Sequence, residues 1–175
     1  MRSPVLPKGE RMKARVVALV ALAAAVTLTS VAAAGPQAAK QRVAIDLKLY
    51  PQKTFVLTPL QAGSLKTDSG TISHNFLSIP GRDVMRDGQK VTIYDGGVAT
   101  LTGKRGTLTI RDRNEWVDLG RDGNGDGQND GIAIGTWKVV RGTGQYAGVV
   151  GKGRNGHIGL GSPWYARYEG FLTSP

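Results

Sequence analysis

The stretch GTGQYAGVVGKG, Gly142 to Gly153, decides how this chain is read. Its first half fits the dinucleotide fingerprint G-x-G-x-x-A at Gly142, Gly144 and Ala147, and its Gly-Lys-Gly end looks like part of a phosphate loop. The fingerprint needs a strand before it and a helix after it, because the helix amino terminus holds the pyrophosphate. The strand is present in TWKVV, Thr136 to Val140. The helix is not. Gly151, Gly153, Gly156, Gly159 and Gly161 interrupt the segment where it would have to run, and each costs about 1 kcal/mol relative to Ala in a helix. The phosphate loop fails too: no Gly stands five residues before Gly151, and Gly153 replaces the Ser or Thr required after Lys152. The glycines therefore predict positive φ angles and close strand crossings in a β domain.

Outward from this stretch the hydrophobic period is two. Val43, Ile45, Leu47 and Leu49 alternate with Ala44, Asp46 and Lys48, which predicts a half-buried strand. Further β-like runs are KTFVL (53–57), GTISHNFLSI (70–79), QKVTIYD (89–95), VATLTG (98–103), GTLTIRD (106–112), NEWVDL (114–119), IAIGTWKVV (132–140) and WYARYEGFL (164–172). Leu108 and Ile110 share one face of their run, opposite Thr107, Thr109 and Arg111. No long stretch in this part repeats at 3.6 residues. Eight or nine short strands predict an all-β fold, a single antiparallel β-barrel of about eight strands, with a two-sheet β-sandwich as the alternative. A closed barrel also removes exposed edges, which suits a chain without cysteine.

The amino terminus predicts export. Arg2, Lys8, Arg11, Lys13 and Arg15 precede an uncharged run from Val16 to Ala34 that ends in SVAAAG. A positive region, an apolar region and small residues at the cleavage point make a signal peptide, residues 1–34. The run is long enough to cross a bilayer as an anchor, but its Ala-rich composition and small-residue end favour cleavage after Ala34, with Ala32 and Ala34 at the −3 and −1 positions. The expected product is secreted to the extracellular space or cell envelope with no permanent membrane anchor. Residues 35–42 read as a disordered linker and 43–175 as the barrel domain. The leader holds five of the 23 basic residues and one of the 13 acidic ones, which leaves 18 basic against 12 acidic and a net charge of +6. That balance reads first as a solvated, soluble surface, and otherwise fits an anionic partner such as a cell-envelope polymer or lipid headgroups. Absence of Cys excludes thiol catalysis, disulfides and Cys-based metal sites.

Two resemblances attach to quoted residues. Gly135–Gly151 resembles a pattern of the allene oxide cyclase and dirigent barrel superfamily, G-T-[FW] followed by G-G-T-G-x-[YF]-x-G-A-x-G. The match covers Gly142, Thr143, Gly144, Tyr146, Gly148 and Gly151, while Arg141 replaces the first Gly and Val149 the Ala. The resemblance implies an eight-stranded antiparallel barrel with Tyr146 tucked into its wall or end. FVLTPLQAGSLKTDSGT, LTGKRGTLTIRDRNEWVDLG, GTWKVVRGTGQYAG and EGFLT also resemble a group of small exported bacterial proteins of unassigned function. Neither resemblance carries catalytic residues over to this chain.

Candidate sites come from residue type. Asp122, Asn124, Asp126, Gln128 and Asp130 fall at positions 1, 3, 5, 7 and 9 of a calcium loop, with Gly127 at position 6. Ala133 stands where the bidentate Glu belongs, and the same stretch reads as a polar hairpin loop of Asx turns. Calcium is thus the one cofactor the sequence suggests. His74 and His157 are the only histidines, and His74 is a candidate acid or base. Glu115 is the other, either as a carboxylate facing the interior or within an outward charge cluster with Arg111 and Arg113. Trp116, Trp137, Tyr146 and Trp164 are candidate ligand-lining aromatics, or simply packing. Nucleic acid is not expected as a partner. The leading expectation is an exported, non-catalytic module that binds a small apolar or amphipathic ligand or the cell envelope. The alternatives are a cofactor-independent isomerase or cyclase acting in the barrel cavity, and a structural surface protein with a calcium-stiffened loop. A barrel filled by its own side chains leaves only surface contacts and favours the structural surface protein.

Overall fold

The computed structural model describes residues 40–123, 129–160 and 164–175. The residues of the predicted signal peptide, and Asn124, Asp126 and Gln128 of the predicted calcium loop, lie outside them. The described residues belong to the compact unit Ala38–Pro175. Nine strands carry it: β1 (Lys40–Tyr50), β2 (Thr54–Pro59), β3 (Asp68–His74), β4 (Gly81–Arg86), β5 (Gln89–Gly103), β6 (Gly106–Asp118), β7 (Gly131–Gly142), β8 (Val150–Gly159) and β9 (Trp164–Thr173). The fold is all-β, with two short 3-10 turns at Phe76–Ser78 and Gly144–Tyr146.

All strands join one antiparallel sheet in the order β3-β2-β1-β9-β8-β7-β6-β5-β4. The sheet closes into a ring because β5 is long enough to serve two neighbours. Its second half pairs with β3, from Gly103 opposite Gly70 to Ala99 opposite His74, and its first half pairs with β4. Eight strands thus make the ring, and β4 lies outside it as an edge. A bulge between Asp95 and Gly97 lets β5 turn from one partner to the other.

Alternation sorts the side chains. Val43, Ile45, Leu47 and Leu49 of β1, Leu108 and Ile110 of β6, and Ala166, Tyr168 and Leu172 of β9 all point inward and are buried. Together with Phe55, Leu57, Ile72, Ala99, Leu101 and Trp137 they fill the ring with its own side chains. Gln41 closes one end: its amide donates to Gln61 and Leu65 carbonyls at 2.8 and 3.2 Å and accepts from the Leu65 amide at 3.0 Å. β1 therefore starts at Lys40, and the last three residues assigned to the linker belong to the sheet.

The deciding stretch performs the second half of that closure. After β7 the chain takes the 3-10 turn, with Gly144 at φ +61 and Gly148 at φ +70, conformations an L-residue rarely adopts. The turn drives Tyr146 into the end of the ring, where it is buried and its hydroxyl donates to Asp68 Oδ2 at 3.1 Å. Asp68 is held in turn by the Ser69 and Lys104 amides. Tyr146 leads into β8 and not into an α-helix. The dinucleotide geometry is therefore absent.

Several predicted runs change length. Residues 89–95 and 98–103 are one strand, β5, and 106–112 and 114–119 are one strand, β6, ending at Asp118. The run 70–79 stops at His74 and turns at Phe76. β4 and β8 were not among the predicted strands.

Candidate functional site: an inner polar layer and a cationic outer wall

Midway along the ring the apolar interior gives way to a polar layer. The inward parity of Leu108 and Ile110 continues along β6 to Asp112 and Asn114, which are both buried. Register places Asp112 beside Trp137 of β7, and Asn114 beside Gly135, which lies opposite Asn155 of β8; Tyr168 of β9 faces Asn155. Hydrogen bonds link the set. The Tyr168 hydroxyl donates to Asp112 Oδ2 at 2.6 Å and lies 3.2 Å from His157 Nε2. Asn155 Nδ2 donates to Asn114 Oδ1 at 2.7 Å and approaches His157 Nε2 at 2.9 Å. An amide nitrogen only donates, so Nε2 accepts and the neutral ring carries its proton on Nδ1.

Burial sets the electrostatics. Desolvation, with His74 nearby, pulls His157 down to about 4. It lowers His74 as well and raises the Asp112 carboxyl. Tyr168 is pushed well above its ordinary value by burial and then by Asp112. Four atoms of the layer lack a hydrogen-bond partner among the described residues although shut off from solvent: Asp112 Oδ1, Asn155 Oδ1 and both ring nitrogens of His74. Phe76 covers the layer, stacked on His74 at 4.8 Å and edge-on to His157 at 5.8 Å. A carboxyl, a phenol and an imidazole in line are chemically able to pass a proton.

The predicted site residues are not brought together. His74 points inward and joins the polar layer. Glu115 does not: it has the outward parity of β6, and Arg86 Nη2 sits 2.8 Å from its carboxylate, with Arg113 at 3.9 Å. The interior carboxylate is Asp112 instead. Trp116 and Trp164 stack at 5.9 Å at one end of the ring. Tyr146 plugs the opposite end. Trp137 lies between, edge-on to Tyr168 at 6.2 Å, its indole donating to the Arg154 carbonyl at 3.1 Å. The four aromatics therefore line no common pocket. In the predicted calcium loop, Asp130 is buried and accepts from the Gly123 amide at 3.1 Å. Asp122 is exposed at the start of the loop, and among the described residues no group of three acidic or histidine side chains is placed to hold a metal.

The outer wall carries a feature that sequence order disguises. On β6, β7 and β8, register aligns Arg111 with Lys138 and Lys152, and Arg113 with Thr136 and Arg154. All six side chains are exposed. They surround a depression of about 990 Å³ over Gly153, completed by Phe171 of β9 and Asp95. Arg111, Lys138, Lys152 and Arg154 make no ion pair among the described residues, and of the five cations only Arg113 has one, at 3.9 Å. Other acids of the outer face already have partners: Asp46 with Arg167, and Glu169 with Arg42 and Arg167. The signal missed in the sequence was the pairing register, because these cations come from runs tens of residues apart. No family model, curated protein or solved structure matches the chain.

Proposed function

We propose that this chain is an exported, non-catalytic β-barrel module that docks on an anionic partner of the cell envelope through the saddle formed by Arg111, Arg113, Lys138, Lys152 and Arg154. One observation carries the reading: four of those five cations face solvent around one depression with no acid paired to them among the described residues. Unpaired cations on a shared surface raise the local concentration of a polyanion, and release of its counterions drives binding. The packed interior supports the same conclusion, since the core side chains fill the ring and the saddle lies outside it. The test is binding to polyphosphate by the protein and by its Lys138→Glu, Lys152→Glu variant. The reading expects the variant to bind at least about tenfold more weakly at low salt, with an unchanged unfolding midpoint. Equal affinity refutes it.

A second reading, a cofactor-independent isomerase within the barrel, draws on the Asp112–Tyr168–His157 chain, which has the groups for acid–base work. It requires a small molecule to enter beneath Phe76. Native mass spectrometry of the protein purified from its host should then show a bound mass. A bare chain that stays bare when Phe76 is replaced by Ala counts against it.

A further inference from the structure

The cationic saddle is one half of a longer surface. On β7, β8 and β9, successive outward rows run Ile132–Ile158–Tyr165, then Ile134–Gly156–Arg167, then Thr136–Arg154–Glu169, then Lys138–Lys152–Phe171. The first row is apolar, the second sets Ile134 in line with Arg167, whose charge is paired to Asp46, and the last two carry Arg154, Lys138 and Lys152 beside Glu169 and Phe171. Ile134 is 69% exposed and Ile158 50%, with Tyr165 and Val56 also open to solvent. Gly156 presents no side chain between them, and a depression of about 580 Å³ results, lined by Ile132, Ile134, Ile158 and Tyr165 together with the Asp46–Arg167 ion pair. Leu160 and Tyr50 extend the exposed apolar rim toward the same end. From Ile132 to Lys138 is six residues of one strand, or about 20 Å. An apolar patch of this extent, continuous with unpaired cations, fits a partner that is itself apolar beneath an anionic surface.

We infer that the saddle's anionic partner is a lipid bilayer, with the Ile132–Ile158–Tyr165 and Ile134 rows entering its interfacial zone and Arg154, Lys138 and Lys152 over its headgroups. The inference rests on the docking reading of the saddle and adds the identity of what is docked upon. Tyrosine suits that zone, with an apolar ring and a polar tip, and a lysine's long apolar stem lets its charge reach a headgroup from the exposed positions of Lys138 and Lys152. A soluble polyanion accounts for the basic rows and leaves the apolar ones without a role.

The experiment uses the purified chain and vesicles of two compositions, phosphatidylcholine alone and equal parts phosphatidylcholine and phosphatidylglycerol, read by flotation. Binding to the mixed vesicles and not to the neutral ones is expected. The double variant Ile134→Ser, Ile158→Ser, altered only at exposed positions, should lose at least about tenfold in vesicle affinity while binding polyphosphate as before. Lys138→Glu, Lys152→Glu should lose both. If the parent binds polyphosphate but does not float with the mixed vesicles, the lipid assignment is overturned and the saddle stands; if the serine variant floats as well as the parent, the placement of the apolar rows in the bilayer is overturned. If the protein sediments as a dimer that the serine variant converts to monomer, the apolar rows are a contact between copies, and the lipid assignment falls in that way instead.

Discussion

Tyr168 stands between a carboxyl and an imidazole, and the burial of the titratable groups around it sets the pH behaviour of the fold. His157 stays neutral down to about pH 4 in the folded chain and titrates near 6.5 when unfolded. Between those values the unfolded state binds more protons. The stability that the neutral ring supports is thus complete above pH 6.5 and is lost as pH falls through about 4, by up to ~3 kcal/mol. His74, lowered for the same leading reason, acts in the same direction. Asp112 opposes them: its raised folded pKa favours the fold below its unfolded value of 3.8, and that benefit disappears as pH rises through the folded value. Urea midpoints should therefore fall on acidification from pH 6.5 to 4, and His157→Gln should flatten most of that slope; a variant as steep as the parent places the effect elsewhere. Asp112→Asn keeps an acceptor for the Tyr168 hydroxyl and removes a desolvated charge, so it should stabilise the protein at neutral pH, with the gain shrinking toward pH 4. A loss at neutral pH would mean that the carboxylate is needed where it is. This residue was legible in principle. The alternation that put Leu108 and Ile110 on one face carries on to Asp112 and excludes Glu115, but a charge two residues past an apolar pair reads as the end of the buried face. Nothing local says that Tyr168 waits across the ring to receive it.

Among the elements, the strands that were legible are those whose inward positions hold large apolar side chains, as in β1 and β6. β8 has Gly151, Gly153 and Gly159 at inward positions, so it shows no alternation to read. Its glycines make room for other strands' side chains, which sequence order cannot reveal. A Cβ on Gly153 would lie 2.7 Å from Trp137 Nε1 and would collide with the Glu169 carbonyl. Gly153→Ala should therefore cost about 1–3 kcal/mol by crowding, measured by urea unfolding, and should perturb Trp137 fluorescence; a neutral substitution would mean that β8 and β9 are less tightly crossed. β4 was hidden for the opposite reason. None of its residues is buried, Met85 among them lying open to solvent, so burial wrote no pattern into it. Its turn carries a signal that the predicted runs did not use: Asp87 and Gly88, both at positive φ, are the Asp-Gly pair of a two-residue hairpin. The long β5 and β6 each read as two runs because the bulge glycines at 96 and 97 and the polar Asp112–Asn114 stretch look like turns.

At the scale of the molecule, closure and charge are separate achievements of the same chain. Closure needs one long strand with two partners, a Gln41 clasp and a Tyr146 plug at one end; the turn glycines announced the positive φ angles beside the plug, while the tucked Tyr146 was an expectation of the family resemblance alone. Charge is distributed by register alone. Asp46, Glu115 and Glu169 are matched with Arg42, Arg86 and Arg167, while four of the saddle cations make no ion pair among the described residues, with Asp95 the acid at the depression's edge. Net charge reads first as a solvated surface and only allows an anionic partner, with no place for it. The most direct measurement of the docking claim is the slope of log Kd for polyphosphate against log salt concentration, in the parent and in Lys138→Gln, Lys152→Gln. A steep parental slope that becomes shallower by about two in the variant, one for each cation removed, is the predicted result. Equal slopes for the two proteins would contradict it.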